Sequence, residues 1–503
     1  MIKQIDAIEL LKSLPDKSVD LIFTDPPYAL GSEVIIREDG KPDYKKAVDF
    51  MNKWDQPDGK FWEEWFKEAN RVLKYGGRVL MFGMDRQLML NKYYACFAGL
   101  QEQQSLYWYF ASSFPKASDL SKNLDKYFGE EREVVGKGVG SSLKKQNEVN
   151  VDQGFRPSDY YEDNDGSFNI TKPSSPLAQK YDGFKYSISP IKQTNETIMV
   201  FQKPYKTGSC LHDTLKYENG DKECCCGALN IDGNRVPIDL IADKSQLRTL
   251  NRSERNNDDG WGMNKNSSDA PQVLSVLGRF PAQSFVDSET AKLLDEQSGQ
   301  KPSGAMKSHH NVGKTGEGGF MPHHGIYGKY KARPFPKEVE ASIGGCSKIL
   351  HKCDYDEKDI ELYYYCPRVD KKERNMGLKG KPKQQYSHDG RGTPIENAVQ
   401  RNKSVSENNH PTVKPINLLL KILNLFKTPN PQVCVDTFAG SGSIPIAAEL
   451  LGFEVIAGDL YEGFVEIANA RLDYAIKNKE KLIKIYSKII PKKTIINNNN
   501  DFF

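Results

Sequence analysis

The sequence predicts an α/β fold with a mostly parallel central sheet and a long, irregular insertion. Short apolar runs alternate with helical patterns at both ends of the chain, as they do in parallel α/β units. Residues 205–409, in contrast, have weak periodicity and dense turn signals such as Asp232-Gly233. At 503 residues the chain is longer than one ordinary core requires, so we expect two domains with additional loops.

The N-terminal part, residues 1–204, has a regular pattern at its start. It predicts helices over residues 7–14 and 62–73, and strands over residues 21–24, 78–82, 105–111 and 196–201. Lys74-Tyr75-Gly76-Gly77 is interpreted as the cap of the second helix. Residues 136–182, which are rich in Gly, Ser, Asn and Asp, are predicted to form a long loop.

The α/β pattern returns in residues 406–476. It predicts helices over residues 416–426, 443–451 and 464–474, and strands over residues 433–436 and 454–457. Residues 205–405 therefore form a predicted insertion between two parts of one domain. Residues 477–503 are basic and then Asn-rich, and we expect them to be a tail that frays over residues 497–500.

Charge is informative locally rather than in total. The 70 basic and 67 acidic residues leave a net charge of only +3. Residues 301–333, however, contain six Lys or Arg and a single acidic residue, Glu317, and residues 371–403 hold a second basic group. Solvated loops are the general explanation of such runs. Their Gly-rich setting also suits segments that follow a phosphate backbone.

The cysteine pattern favours reduced thiols over a metal site. Nine cysteines, an odd number, occur without a signal-peptide pattern, and no run approaches roughly 18 apolar residues, so we expect a cytoplasmic protein with no membrane span. Two groups invite a zinc interpretation: Cys210, His212, Cys224, Cys225 and Cys226, and Cys346, His351, Cys353 and Cys366. Neither contains a Cys-x-x-Cys pair, so no metal is predicted.

A glycine-rich turn follows the predicted strand 433–436. In Phe438-Ala439-Gly440-Ser441-Gly442 the glycines permit a tight turn, and the helix that follows offers free N–H groups. Asp459 ends the next strand, about 20 residues on, where an acidic side chain can bind ribose hydroxyls. A complete Gly-x-Gly-x-x-Gly is missing, which disfavours a dehydrogenase. A nucleoside that carries an amino acid fits better, with Asp436 placed to meet its ammonium group.

A second motif, Asp25-Pro26-Pro27-Tyr28, follows the predicted strand 21–24. Two prolines fix an extended turn and remove two N–H donors, which leaves the Pro26 carbonyl and the Asp25 carboxylate as acceptors. Tyr28 adds a flat aromatic surface. The motif therefore indicates a receptor for an amino group on a planar base, with a structural proline turn as the alternative.

The two motifs, in this order, resemble the S-adenosylmethionine-dependent DNA amino-methyltransferases in which DPPY precedes the cofactor loop. Similar stretches are residues 10–28, 71–82, 114–116, 227–237, 278–281, 365–375, 410–415 and 436–472. The box His410-Pro411-Thr412-Val413-Lys414-Pro415 is the most discriminating of them. Amide methyltransferases with an Asn-Pro-Pro-Tyr motif usually have the opposite order and lack this box.

The resemblance implies a Rossmann-like methyltransferase fold and a role for each motif residue. The Asp25 carboxylate and the Pro26 carbonyl would hold the target amine, and Tyr28 would stack on the base. S-adenosylmethionine would be held by residues of the second motif and its surroundings, namely Asp436, Phe438, Gly440, Ser441 and Gly442, with Asp459 on the ribose. Asp6 would lie near the adenine, and Thr412 and Lys414 would line the methionine side.

The resemblance further implies methylation of the N6 amine of an adenine that is flipped out of double-stranded DNA. Relatives that act on the N4 amine of cytosine more often carry Ser at the position of Asp25. Cytosine methylation and a catalytically inactive DNA-binding protein are the alternatives. Residues 205–405 would form the target-recognition region. A homodimer, a cognate restriction endonuclease, and a bacterial or phage origin stay open.

Overall fold

The computed structural model describes residues 1–28, 33–45, 58–110, 116–139, 167–235, 280–286, 288–298, 301–302, 343–344, 351–352, 369, 371–382, 384–385, 405–410 and 412–486. Its strands in chain order are β1 Lys3–Gln4, β2 Val19–Thr24, β3 Glu33–Ile36, β4 Pro42–Lys45, β5 Leu73–Gly83, β6 Gln101–Glu102, β7 Leu106–Tyr109, β8 Lys116–Asp119, β9 Val134–Val139, β10 Ser167–Thr171, β11 Lys185–Ser189, β12 Asn195–Gln202, β13 Ser284–Val286, β14 Lys301–Pro302, β15 Ile343–Gly344, β16 His351–Lys352, β17 Gln384–Gln385, β18 Val405–Ser406, β19 Val433–Asp436 and β20 Glu454–Asp459.

The helices of the described residues flank these strands. They are α1 Ala7–Lys12, α2 Gly59–Val72, α3 Asp85–Phe97, α4 Leu120–Phe128, α5 Pro176–Lys180, α6 Cys210–Glu218, α7 Ser288–Ser298, α8 Lys371–Arg374, α9 Ile416–Phe426, α10 Ser443–Leu450, α11 Glu462–Lys477 and α12 Lys479–Ile485. None of them is both long enough and apolar enough to cross a membrane.

A ten-stranded, mostly parallel sheet is the centre of the fold, as the sequence predicts. Its order is β1-β20-β19-β2-β5-β12-β7-β13-β16, and β6 pairs with β12 outside this path. Strand β12 runs antiparallel to its neighbours β5 and β7, whereas β1, β20, β19, β2 and β5 are mutually parallel. The strands β19 and β2 come from opposite ends of the chain and pair side by side, which joins the two predicted α/β parts into one sheet.

Both faces of the sheet are covered, because its central strands are apolar on both sides. Along β2, Leu21 and Phe23 point into one core and Ile22 into the other. Helix α9 covers the first face and is buried over nearly its whole length. Helix α2 covers the second face with an apolar stripe at helical spacing: Trp62, Trp65, Phe66, Ala69 and Val72.

The interpretation of Lys74-Tyr75-Gly76-Gly77 as a helix cap is wrong, because these residues belong to β5. Helix α2 ends at Val72, and the strand starts at once. The Tyr75 N–H donates to the Glu223 carbonyl (2.9 Å), and the Cys225 N–H donates to the Tyr75 carbonyl (3.0 Å). A segment about 150 residues away in sequence thus supplies the hydrogen-bond partners that make this turn-like sequence a strand.

The long loop predicted over residues 136–182 is also partly wrong. The strand β9 pairs with β10 across this stretch in an antiparallel ladder. Helix α5 then begins after Ser175, whose side chain accepts a hydrogen bond from the Ala178 N–H. Asp125 fixes this helix start by accepting hydrogen bonds from Ser174 and Ser175. Residues 140–166 lie outside the described residues. The pairing is long-range, so the local composition does not reveal it.

The two ends of the inserted region pack onto the two ends of helix α9. The Asn230 N–H donates to the Leu425 carbonyl (2.8 Å) near the helix C-terminus. The Glu373 carboxylate accepts from the Ile416 N–H (2.8 Å) at the helix N-terminus. The predicted tail also begins with structure, since Leu482 of α12 is buried in the core; residues 487–503 lie outside the described residues.

We predict that Phe66→Ala lowers the free energy of unfolding by about 3–5 kcal/mol, because the ring is fully buried and lies edge-on to Phe201 at 5.7 Å. Phe97→Ala is the matched control. Its ring is 60% exposed, so we expect a loss of less than about 1 kcal/mol. Urea titration followed by circular dichroism measures both values, and similar losses in the two variants would contradict the packing described here.

Candidate active site

Both sequence motifs lie at one edge of the central sheet. The parallel strands β2, β19 and β20 end at this edge, and the antiparallel strand β12 begins there. Asp25 follows β2, Phe438 follows β19, and Asp459 ends β20. The chain runs from β19 toward β20 on one side and from β2 toward β5 on the other, so this edge is the switch point where open α/β sheets bind ligands.

A buried hydrogen bond connects the two motifs. The Thr24 hydroxyl at the end of β2 donates to Oδ1 of Asp436 at the end of β19 (2.8 Å). The same oxygen accepts from the Phe438 N–H (3.1 Å). The other oxygen, Asp436 Oδ2, is buried and receives no hydrogen bond from the described residues. Burial raises the pKa of Asp436 to about 8. An unpaired, buried carboxylate oxygen of this kind suits a cationic group.

Asp25 lies in a compact cluster of polar side chains. Its Oδ1 accepts from the Tyr28 hydroxyl (2.9 Å), and its Oδ2 lies 2.5 Å from the Lys414 ammonium. Lys414 Nζ is also 3.2 Å from Tyr28 Oη and 3.4 Å from Glu196 Oε2. Lys414 is only 6% exposed, and its ammonium lies 4.7 Å from the centre of the Phe82 ring. The two carboxylates therefore share one buried cation.

The protonation states in this cluster follow from its charges. Burial lowers the pKa of Lys414, but Asp25 and Glu196 outweigh burial and raise the pKa above its ordinary value. Burial and the same two carboxylates hold the pKa of Tyr28 well above its ordinary value. Tyr28 is thus a neutral donor to Asp25, and Lys414 is a cation at neutral pH.

The turn that carries Asp25-Pro26-Pro27-Tyr28 is fixed by a hydrogen bond from helix α3. The Pro27 carbonyl accepts a hydrogen bond from Gln87 Nε2 (2.6 Å), and Gln87 is fully buried in helix α3. Pro26 is buried. The backbone between Asp25 and Tyr28 therefore has little freedom, which keeps the aromatic ring and the carboxylate in a constant relation.

The glycine-rich turn after β19 is held by neighbouring side chains. Gly440 and Gly442 have φ values of +50° and +80°, and a Cβ at Gly440 would lie 2.6 Å from His410 Nε2. The Gly440 N–H donates to Asp459 Oδ2 (2.8 Å). The guanidinium of Arg471, which is fully buried, donates to the Ser441 carbonyl and to Ser441 Oγ (3.1 Å).

The remaining predicted residues occupy more ordinary positions. Asp6 caps helix α1 by accepting from the Ile8 N–H (2.8 Å). Phe438 packs against Phe61 and Trp62, at ring distances of 6.2 and 6.3 Å. Thr412 is exposed, and its N–H donates to His410 Nδ1 (3.3 Å). Burial is the main cause that lowers the pKa of His410, to about 3, so this ring is neutral.

Sequence reasoning did not identify Glu196, Gln87 or Arg471. Glu196 enters the site because β12 runs antiparallel, which brings the start of that strand to the edge where the parallel strands end. Its sequence signal is an acidic residue two positions before the apolar run Ile198-Met199-Val200-Phe201. Arg471 has a signal as well, since it is a cation on the buried face of α11. Cys346, Cys353 and Cys366 of the second zinc interpretation lie outside the described residues. Among the residues that the structure describes, no group of three or more His, Cys, Asp or Glu side chains could hold a metal ion.

Comparisons with known proteins agree on one family. A family model described as DNA methylase matches residues 19–470. Type II methyltransferase M.HpaI of Haemophilus parainfluenzae is 31% identical over 121 residues, which are 24% of this chain and 35% of that protein. Type II methyltransferase M.HinfI of Haemophilus influenzae is 39% identical over 84 residues, 16% of this chain and 22% of that protein. The chain thus aligns with about a third or less of these relatives' own lengths.

Solved structures give only a weak likeness. The cytosine-N4-specific PvuII DNA methyltransferase covers 97% of this chain and 90% of its own, at 11% identity and a TM-score of 0.35. M1.HpyAVI in complex with SAM covers 94% of this chain and 98% of its own, at 11% identity and a TM-score of 0.31. At such TM-scores neither structure carries weight for function.

We predict that Asp436 makes the ligand-free protein less stable as the pH rises. Its pKa is about 8 in the folded protein and close to 3.8 in the unfolded chain. The protonated form of Asp436 therefore contributes its full stabilisation below about pH 4, and this contribution decreases steadily as the pH rises from about 4 to about 8. Asp436→Asn removes this loss. Thermal unfolding between pH 5 and 8 should therefore show a difference between variant and wild type that grows with pH.

Asp16→Asn is the control for this experiment. Asp16 is exposed, and its hydrogen bond with Arg71 lowers its pKa, so it does not titrate between pH 5 and 8. An Asp436→Asn variant with the same pH dependence as the wild type would contradict the assignment of a protonated Asp436.

Proposed function

Because the chain belongs to the DNA methylase family, we propose that it is a site-specific DNA methyltransferase that methylates the N6 amine of adenine in duplex DNA. The methyl donor of the family is S-adenosylmethionine. The observation that carries the proposal is the placement of two different acceptors at the ends of adjacent strands. The Asp25 cluster follows β2 and suits an amine, and the unpaired oxygen of Asp436 ends β19 and suits an ammonium group.

The residues present fit a donor that combines an amino acid with a nucleoside. Asp436 Oδ2 would accept from the ammonium of the methionine part, which restores its ionised form. Each Asp459 oxygen accepts one backbone N–H, and a carboxylate oxygen has a second lone pair for a ribose hydroxyl. When bound, S-adenosylmethionine supplies a methyl group on a positively charged sulfur. Asp6, Phe438, Ser441 and Thr412 keep the roles that the resemblance implies as proposals.

Asp25 and the Pro26 carbonyl prepare the amine for reaction. The amine of adenine is a poor nucleophile, because its lone pair is delocalised into the ring. Two acceptors that bind its two N–H bonds would favour a tetrahedral nitrogen with a localised lone pair, which is the form that can accept a methyl group. The Asp25 carboxylate also stabilises the positive charge that develops on this nitrogen. The contribution is electrostatic and positional, without a covalent enzyme intermediate.

Tyr28 provides the surface on which the base lies. A pocket at the edge of a sheet cannot reach an amine inside a duplex, so the base has to leave the helix. The Tyr28 hydroxyl is fixed on Asp25 at 2.9 Å, and this hydrogen bond sets the position of the ring relative to the amine acceptor. Stacking on an aromatic ring contributes about 1–3 kcal/mol per base, which offsets part of the cost of flipping.

Adenine is the proposed base because an aspartate precedes the two prolines. Relatives that methylate cytosine more often have Ser there, as the resemblance implies. We further propose that residues 1–204 and 406–476 form the catalytic domain, that residues 205–405 read the target sequence, and that residues 477–503 are an appendage. Two described segments of the reading region, residues 205–235 and 371–382, would attach this region to the catalytic domain through their contacts with helix α9.

The first test of the function is the product. Purified protein, S-adenosylmethionine and mixed-sequence duplex DNA should give N6-methyladenine, identified by mass spectrometry of the hydrolysed nucleosides. N4-methylcytosine would keep the proposed site but correct the base. The absence of both products, with cofactor binding intact, would contradict a DNA substrate.

Asp25→Ala tests the amine receptor. We predict that it lowers methyl transfer by at least about a thousandfold, because both the acceptor and its charge are lost. Cofactor binding, measured by calorimetry, should stay within about threefold, since Asp436 is untouched. Asp16→Ala, an exposed carboxylate beside Arg71, is the control and should keep full activity. Turnover by Asp25→Ala near that of the wild type would refute the assignment.

A further inference from the structure

We propose that Glu196 is a positioning residue that acts as the second binding site of the Lys414 ammonium group. On this proposal, which rests on the proposed function, Lys414 occupies the amine receptor on Asp25 while no base is bound. The amine of the flipped base displaces the ammonium from Asp25, and the ammonium moves onto Glu196. The lysine thus has two positions, and the base selects between them.

The first support is the atom that Lys414 occupies. Its Nζ lies 2.5 Å from Asp25 Oδ2, the oxygen that is not engaged by Tyr28. An ammonium and an amine are both N–H donors, so the lysine competes with the target amine for the lone pairs of this oxygen. As long as this ion pair persists, Asp25 has no oxygen that is free of a protein donor.

The second support is the state of Glu196. Its Oε2 is buried and lies 3.4 Å from Lys414 Nζ, and in the described part of the chain no donor meets this oxygen with good hydrogen-bond geometry. A buried carboxylate oxygen whose nearest donor is this far away is costly, because the lost hydration is only partly replaced. This cost is removed when the Lys414 ammonium moves toward Glu196 Oε2, because a shift of less than about 1 Å gives a normal hydrogen-bond distance. The structure therefore contains a ready acceptor next to an occupied one.

The third support is the balance of charge. Two carboxylates and one ammonium share a site in which the side chains of Asp25, Glu196 and Lys414 are at most 16% exposed. Without the cation, the two carboxylates would repel each other and one would take up a proton. Lys414 thus neutralises one of the two carboxylate charges in the empty site. After it moves, it still neutralises Glu196, so the arriving amine meets a single available carboxylate charge.

The sequence of events involves no bond cleavage. The amine N–H donates to Asp25 Oδ2, the Lys414 N–H leaves that oxygen, and the same N–H donates to Glu196 Oε2. Glu196 Oε2 gains a donor in this exchange, so the site gains one hydrogen bond, and the net charge of its side chains stays constant. Removal of the charge of Glu196 leaves the lysine without its second position, so Lys414 then competes with the amine for Asp25.

A double-mutant cycle tests this proposal, because Glu196→Gln should change kcat in opposite directions with and without Lys414. Glu196→Gln in the otherwise wild-type protein should lower kcat by about tenfold to a hundredfold, with KM for DNA and the cofactor Kd nearly constant. Lys414→Met should also lower kcat, because Asp25 and Glu196 then share a proton. In the Lys414→Met background, however, Glu196→Gln should raise kcat, because it removes the competing carboxylate.

Thermal unfolding without DNA gives a second measurement that does not depend on activity. Lys414→Met should lower the Tm at pH 8, and the added Glu196→Gln should restore part of the loss. Glu449→Gln is the matched control. Glu449 pairs with Lys479 at 2.8 Å away from the site, and its loss should change neither kcat nor the effect of Lys414→Met.

The outcomes separate the two proposals. Equal effects of Glu196→Gln in both backgrounds, in kcat and in Tm, would overturn the role of Glu196. Wild-type protein that methylates no DNA would refute the proposed function, and the Tm cycle would then decide alone whether Glu196 and Asp25 share Lys414. Opposite signs of the Glu196→Gln effect in the two backgrounds would confirm the two-position lysine.

Discussion

The site depends on the pairing of two strands that are about 400 residues apart in sequence. Cys434 and Val435 of β19 pair with Leu21 and Ile22 of β2, and just beyond this register the Thr24 hydroxyl bonds the Asp436 carboxylate. The bond gives a fixed spacing between the loop that follows one strand and the loop that follows the other. A shift of the register by one residue would turn every side chain of β2 to the opposite face of the sheet. The core and the chemistry are thus specified by the same contact.

The edge of the sheet concentrates carboxyl groups in a poorly hydrated place. Asp25, Glu196, Asp436 and Asp459 all lie there, and burial raises the pKa of Asp436 and Asp459. Such an arrangement costs stability in the ligand-free protein, and it is offset in the Asp25 cluster by Lys414. On the proposed function, a cofactor with an ammonium group and a sulfonium group would supply the compensating charge. The free energy that the fold gives up at this edge therefore becomes available as binding free energy for a cation, which links weak local stability directly to ligand affinity.

The sequence predicts the strands and helices next to the motifs well, because both the strand signals and the turn chemistry there are local. The apolar run that ends at Thr24 and the one that ends at Asp436 are examples. It fails where hydrogen-bond partners come from far along the chain, as for Tyr75, whose strand pairing depends on residues of the insertion. Glu196 is missed for a related reason: only the antiparallel direction of β12 brings it to the site. Local patterns report which residues form elements, but the assembly of the sheet decides which of their ends meet.

Helix α9 sets the distance between the two ends of the inserted region. Asn230 is bound at Leu425 near its C-terminus and Glu373 at Ile416 at its N-terminus, so the two points of attachment are separated by nine residues of helix, about 14 Å. The helix thus fixes the distance between the two points of attachment. A segment whose ends match that spacing and carry the same two anchors would connect to helix α9 in the same way. On the proposed function, exchange of the segment between the anchors would change the target sequence and leave the proposed site at the sheet edge unaltered.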